Sequence, residues 1–125
     1  MMETHTAMES LSSAIKVDGQ VDLLLSLLAK LSCLEKPAPE MRESMRTIMV
    51  TGLELVRNET HGAFRKTNME EFAHILTLLE RAITLAQNDE FYAAGDLLTS
   101  CATHPQLIMR CALDSIGGPR TDRIF

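Results

Sequence analysis

Aromatic side chains are scarce in this sequence. They make up 4% of the 125 residues, and tryptophan is absent. A protein that holds single-stranded nucleic acid needs aromatic surfaces on which bases stack, and one that follows a phosphate backbone needs a positively charged surface. The formal net charge here is -5. The composition therefore argues against nucleic acid as a partner and favours proteins or small molecules.

Long apolar runs and a basic, apolar leader are also missing. The first ten residues, MMETHTAMES, are polar, which is not the pattern of a secretory signal peptide. The most apolar segment, VDLLLSLLAKLSCL, contains Asp22 and Lys30 and is too short to span a bilayer. The three cysteines, an odd number, give no disulfide framework. These features predict a cytoplasmic protein with reduced cysteines and no membrane partner.

Alternation with a period of two residues, the pattern of strands, never persists in this chain. Apolar residues instead recur at helical spacing and make up 46% of the sequence, which is long enough for one domain with its own core. We therefore predict an all-α protein, a small antiparallel bundle of four to five helices. Residues 1–7 are expected to be disordered, 8–118 to form the single helical domain and 119–125 to form a flexible tail.

Glycine, proline and aspartate predict the limits of the first helices. A weak helix over 8–17 is expected to stop before Gly19, because glycine loses much backbone entropy in a helix. Asp18 is then expected to cap the next helix, which would run to about Glu35. Prolines follow directly in the sequence and predict the start of a further helix, since proline fits the first helical turn.

That further helix is predicted to be long. Its apolar spacing begins at Met41 and continues as far as Lys66, although Gly62 is a possible end. Ile48 is assigned to its inner face. Gly52 also lies on the apolar face, where the absence of a side chain would let a neighbouring helix approach closely.

Polar residues predict the remaining helix starts. Asn68 with Glu71, or Thr67 with Glu70, matches a capping box at the start of a helix that ends near Gln87. Next, residue 88 or 89 is expected to cap a helix over 90–102, and the proline at 105 to open a last helix that ends at the glycines 117 and 118.

Large and small residues alternate in a distinctive way along two of these helices. The positions concerned are Leu78, Ala82 and Leu85 on the first helix and Ala94, Leu98 and Cys101 on the second. The stretch Leu78–Pro105 thereby resembles a single tetratricopeptide repeat, with no second copy at the family's period of about 34 residues. The resemblance implies a helical hairpin and a groove that binds a peptide or a helix. Small acidic chaperones of bacterial type III secretion are similar in size and in this kind of hairpin.

His74 is a candidate for phosphotransfer, because it lies opposite the apolar face of its helix and should be exposed. Histidine phosphotransfer proteins resemble one another in carrying a lysine and a glycine within the next turn. This chain has Thr77 and Leu78 there instead. With no basic group to stabilise the transferred charge, His74 is predicted to be an ordinary surface residue.

Cys101 and His104 have a Cys-x-x-His spacing, with Cys111 further along the chain. A structural zinc site needs about four ligands, commonly from two close pairs, and only one pair is present. Both cysteines are instead assigned to core-facing helical positions, where cysteine behaves as a small apolar residue. We therefore predict no metal and no cofactor. Since the sequence also contains no recognised catalytic motif, we do not predict an enzyme.

Two sets of apolar residues exceed what a small core needs. Leucines at 23, 27 and 34 form a second stripe beside the stripe of Val21, Leu24 and Leu28, and so wide an apolar arc needs cover on more than one side. Methionines at 41, 45 and 49 form a ladder. Methionine is flexible and polarisable, which suits adaptable binding surfaces, although the same ladder also fits ordinary core packing.

The predicted function follows from these two sets. We expect the protein to bind a partner helix or a second copy of itself, as a chaperone, adaptor or regulator. The predicted contact residues are Leu23, Leu27, Leu34, Met41, Met45 and Met49. Two alternatives remain open: a regulatory helical protein that acts on a transcription or signalling complex, and a small-ligand-binding or catalytic bundle.

Overall fold

Residues 3–31 and 39–117 are described in the computed structural model of the protein, and nearly all of them are helical. The chain forms α1 (Thr4–Leu31), α2 (Pro39–Thr67), α3 (Glu70–Gln87), α4 (Phe91–Cys101) and α5 (Thr103–Gly117). No strand occurs within the two described ranges. The predicted all-α class and the small helical bundle are confirmed.

The five helices form a four-sided bundle. α1, α2 and α3 each form one side, and α4 and α5 together form the fourth. α1 packs on α2, α2 on α3, α3 on α4, and α5 packs back on α1. Only Ala102 separates α4 from α5. Seven residues connect α1 to α2. At about 3.5 Å per residue they cannot carry the chain back along a helix of this length, so α1 and α2 run antiparallel.

α1 is a single helix of 28 residues, whereas the sequence predicts two helices that meet near Gly19. A glycine inside a helix costs about 1 kcal/mol relative to alanine. Packing outweighs this cost, because Val17 and Val21, on either side of Gly19, are fully buried. Asp18 accordingly lies inside α1, and the prediction that it caps a helix is wrong.

α1 also begins earlier than predicted. Its first residue is Thr4, although the sequence predicts disorder over residues 1–7. Ala7 and Ser10 are fully buried, so packing against the rest of the bundle holds these first turns in the helix. The predicted end of this helix near Glu35 and the predicted tail over 119–125 lie outside the described residues.

α2 continues through Gly62 and ends at Thr67. The next residue, Asn68, has a left-handed backbone with φ 56°, and its N–H donates to the carbonyl of Phe64 at 2.7 Å. This is the hydrogen bond of a left-handed C-cap, a position that asparagine tolerates. The predicted capping box is therefore wrong: the N-cap of α3 is Met69, which makes no side-chain cap bond.

α3 ends in a Schellman motif rather than at a residue that caps α4. Asp89 has φ 61°, and its N–H donates to the carbonyl of Ala86 at 3.1 Å. The N–H of Glu90 donates to the carbonyl of Leu85 at 2.9 Å, which completes the motif. Glu90 is the N-cap of α4 and makes no side-chain cap bond, so the predicted cap by Asn88 or Asp89 is wrong.

The Asp89 side chain instead pairs with Arg46 of α2. Arg46 Nε donates to Oδ1 at 2.7 Å and Nη2 donates to Oδ2 at 2.8 Å, a bidentate geometry that is stronger than a single contact. The hydrogen bond from Arg46 holds the pKa of Asp89 below its usual value. This ion pair holds the α3–α4 connection against α2.

α1 comes close to two other helices at glycines. A Cβ atom at Gly52 would lie 2.7 Å from Leu24 Cδ1, and one at Gly95 would collide with Leu28 Cδ2. At each glycine, the leucine occupies the space that the side chain of any larger residue would need. The predicted close approach at Gly52 is confirmed, and it fixes the level at which α1 and α2 meet.

The inner faces predicted for α3 and α4 are mostly buried, with Leu76 and Phe91 half-buried, while that of α5 is only partly as predicted. The buried residues of α3 are Phe72, Ile75, Leu79, Ala82, Ile83 and Ala86. α5 buries Ile108 and Ala112, but Leu107 and Cys111 are exposed. The apolar spacing of the sequence assigns both Leu107 and Cys111 to the inner face of this helix. That prediction is wrong, because the covered arc of α5 is narrower than its apolar pattern.

Candidate protein-interaction surface

The leucine stripe of α1 faces solvent in the described part of the bundle. Leu23 is 73% exposed and Leu27 is 37% exposed. Leu24, between them, is almost completely buried against Gly52 of α2. The two exposed leucines therefore lie beside the contact between α1 and α2, on its outer side. Leu34 lies outside the described residues.

The methionine ladder is divided between core and surface. Met41 is exposed, whereas Met45 and Met49 are buried. The two buried methionines share a helical face with Leu53 and Val56, which are buried as well, so this face of α2 points into the bundle. Met45 and Met49 therefore belong to the core, whereas Met41 lies at the surface and belongs to the candidate surface.

Two exposed apolar residues of α2 are not among the predicted contact residues. Ile48 is 41% exposed and Leu55 is 60% exposed. The sequence assigns Ile48 to the inner face and does not single out Leu55. Both lie one helical turn from Gly52 and on the same flank of α2, so they border the contact with Leu24.

A heptad pattern in the sequence marks this flank of α2. Uncharged residues stand at alternating spacings of three and four, and all of them are exposed: Met41, Ser44, Ile48, Thr51 and Leu55. The spacing is that of a helix that packs on another helix along one seam, with apolar residues at the first heptad position and Ser44 and Thr51 at the fourth. The pattern is visible in the sequence, but a second and stronger apolar face on the same helix obscures it.

These residues of α1 and α2 form one continuous surface. Leu24 meets Gly52, and the two helices are antiparallel. Each later residue of α1 therefore lies at the height of the preceding residue of α2. Leu27 is thereby placed within one residue of the level of Ile48, and Leu23 between Thr51 and Leu55. We call this surface the α1–α2 strip, and its members are Leu23, Leu27, Met41, Ser44, Ile48, Thr51 and Leu55.

Charged residues lie at the ends of the strip. Lys16 and Lys30 stand one heptad before and one heptad after Leu23 on α1, while Glu40 and Glu59 lie towards the two ends of the α2 side. None of these four residues has an ion-pair partner within the described ranges. The strip thus combines five exposed apolar side chains with Ser44 and Thr51. Near its ends, Lys16 and Lys30 lie on the α1 side and Glu40 and Glu59 lie on the α2 side.

The remaining exposed apolar residues are spread over other parts of the bundle. They are Met8 and Ile15 on the first half of α1, Tyr92 on α4, and Leu107 and Leu113 on α5. Isolated apolar side chains on a surface are normal and mark no site by themselves.

The histidines and cysteines considered for chemistry are placed as follows. His74 is exposed, and its ring meets the ring of His104 edge to face at 5.9 Å between centroids. Cys101 is fully buried, and burial raises its pKa to about 12. Cys111 is exposed. In the described part of the chain, no three histidine, cysteine or acidic side chains are placed to hold one metal ion.

A depression lies on the surface of α3. It has a volume of about 390 Å³ and is lined by Glu80, Arg81, Thr84 and Leu85. These residues belong to a single helix, so within residues 3–31 and 39–117 no groups of other helices converge on this depression, as they do in ligand sites.

Within residues 3–31 and 39–117, no helix combines the length and apolar character required to cross a membrane. No protein-family model matches the chain, and neither a curated protein nor a solved structure is significantly similar to it.

Proposed function

We propose that this protein acts by binding a helix, either of another protein or of a second copy of itself, through the α1–α2 strip, as a chaperone, adaptor or regulator in the cytoplasm. The observation that carries the proposal is the exposure of Leu23 and Leu55, at 73% and 60%, beside the same helix–helix contact. Exposed apolar area costs roughly 25 cal/mol per Å² in water. A cluster of exposed apolar side chains of this kind is typical of a protein interface.

The shape of the strip favours a helix as the bound element. Two antiparallel helices form a shallow groove along their contact, and the heptad spacing of α2 matches the spacing with which a third helix presents its apolar residues. The partner's side chains would occupy the space beside Ile48 and Leu55, and its polar face would remain in water.

The α3–α4 hairpin supports the same class of function. Ala82, Ala94, Leu98 and Cys101 are buried where the two helices pack, and the alternation of large and small residues resembles a tetratricopeptide repeat. Proteins of that family hold peptides or helices, so the resemblance favours an interaction module. The membership itself stays a prediction.

The proposal is tested by exchanging two exposed leucines of the strip for glutamine. The double variant Leu23→Gln/Leu55→Gln keeps the buried core intact, so its circular dichroism and melting should match the wild type. We expect its affinity for the native partner, identified by photo-cross-linking from residue 51 in the cells of origin, to fall by about tenfold or more, because apolar anchors dominate such interfaces.

The matched control is Leu107→Gln/Leu113→Gln, which replaces two exposed leucines of α5. This control should bind the partner as the wild type does. Loss of binding in the control together with full binding by the strip variant would place the interface elsewhere and refute the proposal.

A further inference from the structure

We infer that the α1–α2 strip binds a second copy of this chain, in a symmetric dimer in which α1 of each copy lies on α2 of the other. The inference rests on the proposed function and names the partner of the same surface. It follows from the way in which apolar residues and charges are distributed over the two sides of the strip.

The apolar residues on the α1 side of the strip match those on its α2 side, so the strip is complementary to a second copy of itself. Leu27 on the α1 side lies within one residue of the level of Ile48 on the α2 side, and Leu23 lies between the levels of Thr51 and Leu55. A twofold axis that runs along the strip, parallel to the helices, exchanges the two sides and keeps the level of every residue. The leucines of each copy then meet the other copy's isoleucine and leucine, and four helices enclose one new apolar core.

The charges oppose the other symmetric arrangement. A perpendicular twofold axis would lay α1 on α1 in antiparallel orientation, centred near Leu23. Because Lys16 and Lys30 stand one heptad on either side of Leu23, each lysine of one copy would then face a lysine of the other. Like charges placed opposite each other across an interface are unfavourable.

The same charges favour α1 on α2. Counted from the contact between Leu24 and Gly52, Lys16 is within one residue of the level of Glu59. Lys30 is roughly 9 Å along the axis from Glu40, by the rise of a helix, which two extended side chains can bridge. Each attraction occurs twice in the symmetric dimer. The basic side of one copy therefore meets the acidic side of the other.

A charge exchange tests this arrangement directly. Sedimentation velocity over a range of concentrations up to high micromolar should show a monomer–dimer equilibrium for the wild type. Lys30→Glu and Glu40→Lys should each weaken dimerisation by roughly fivefold, since one ion pair of modest strength is lost twice. The double variant Lys30→Glu/Glu40→Lys should recover the wild-type dissociation constant.

The leucine variants test whether the strip, and no other part of the surface, forms the dimer contact. Leu23→Gln/Leu55→Gln should be monomeric at all concentrations, whereas Leu107→Gln/Leu113→Gln should dimerise as the wild type does. A dimer that the strip variant leaves intact overturns the inference. If the double charge variant dimerises as weakly as the two single charge variants, the α1-on-α2 arrangement is overturned.

Self-association and binding of a different protein are distinguishable in the same experiments. A wild type that stays monomeric at high micromolar concentration overturns the dimer. If the monomer still binds another protein, and the strip variant abolishes that binding, the proposed function stands with a different partner. If the strip variant changes neither property, both proposals fail.

Discussion

At the scale of single residues, the environment of a side chain decides its chemistry more than its type does. Cys101 and Cys111 belong to neighbouring helices, and the sequence assigns both to the core. Cys101 is fully buried there, and burial raises the pKa of its thiol to about 12. Cys111 is exposed. Because the thiolate is the reactive form, only the exposed one of these two cysteines should react in the folded protein.

Alkylation tests this difference. Native protein treated with iodoacetamide near neutral pH should carry the label at Cys111, while Cys101 remains unmodified, as measured by mass spectrometry of the peptides. Both should react once guanidinium unfolds the chain. Labelling of Cys101 at a rate similar to that of Cys111 under native conditions would mean that α4 is not packed as described.

At the scale of the helices, glycines have two different roles that the sequence does not separate. Gly19 and Gly62 lie inside α1 and α2, and a Cβ at either would meet no neighbouring atom within 4 Å. Gly52 and Gly95 instead receive leucine side chains of α1. The first two cost helix stability without any packing benefit, whereas the second two allow helices to approach.

Alanine substitutions should reveal the two roles. Gly62→Ala and Gly19→Ala should each raise the free energy of unfolding by about 0.5–1 kcal/mol, because alanine favours the helix. Gly52→Ala should raise the free energy of unfolding by less than these two substitutions do, or should lower it, since Leu24 has to move. Urea denaturation measures all three. Equal stabilisation by Gly52→Ala and Gly62→Ala would contradict the contact between Leu24 and Gly52.

At the scale of the whole molecule, one bidentate ion pair connects distant parts of the chain. Arg46 of α2 binds Asp89 in the connection between α3 and α4. Its hydrogen bond lowers the pKa of Asp89 relative to the ordinary value of 3.8. For a carboxyl group with a lowered pKa, the stabilisation is present above the unfolded pKa and is lost as pH falls through the folded pKa.

The pH dependence of melting tests this connection. Asp89→Asn, which keeps a residue that tolerates the left-handed backbone, should lower the thermal midpoint at neutral pH. Its difference from the wild type should shrink once the pH falls below about 3.8. Arg46→Gln should behave alike, and the double variant should add little. Arg65→Gln, a control at an exposed arginine without an ion pair in the described residues, should match the wild type at every pH.

The helical spacing of apolar residues, a property of neighbouring positions along the chain, determined much of the fold. The buried face of α3 from Phe72 to Ala86 can be read directly, because a single apolar stripe leaves one way to face the core. The exposed Leu23 and Leu27 were also singled out from the sequence. Their stripe adds to one that already fills the core side of the helix.

Only the tertiary structure decided where packing overrides local preference. Gly19 does not interrupt α1, because the buried valines on both sides hold the helix together. Asn68 and Asp89 adopt left-handed conformations after their helices, although the same residue types also cap helix starts. On α2 the apolar arc is too wide for one neighbour, so the positions of α1 and α3 determine that Met45 and Met49 are buried and Ile48 and Leu55 are exposed. Periodicity places residues on a face, and contacts between helices, which join positions far apart in the sequence, determine which part of that face is covered.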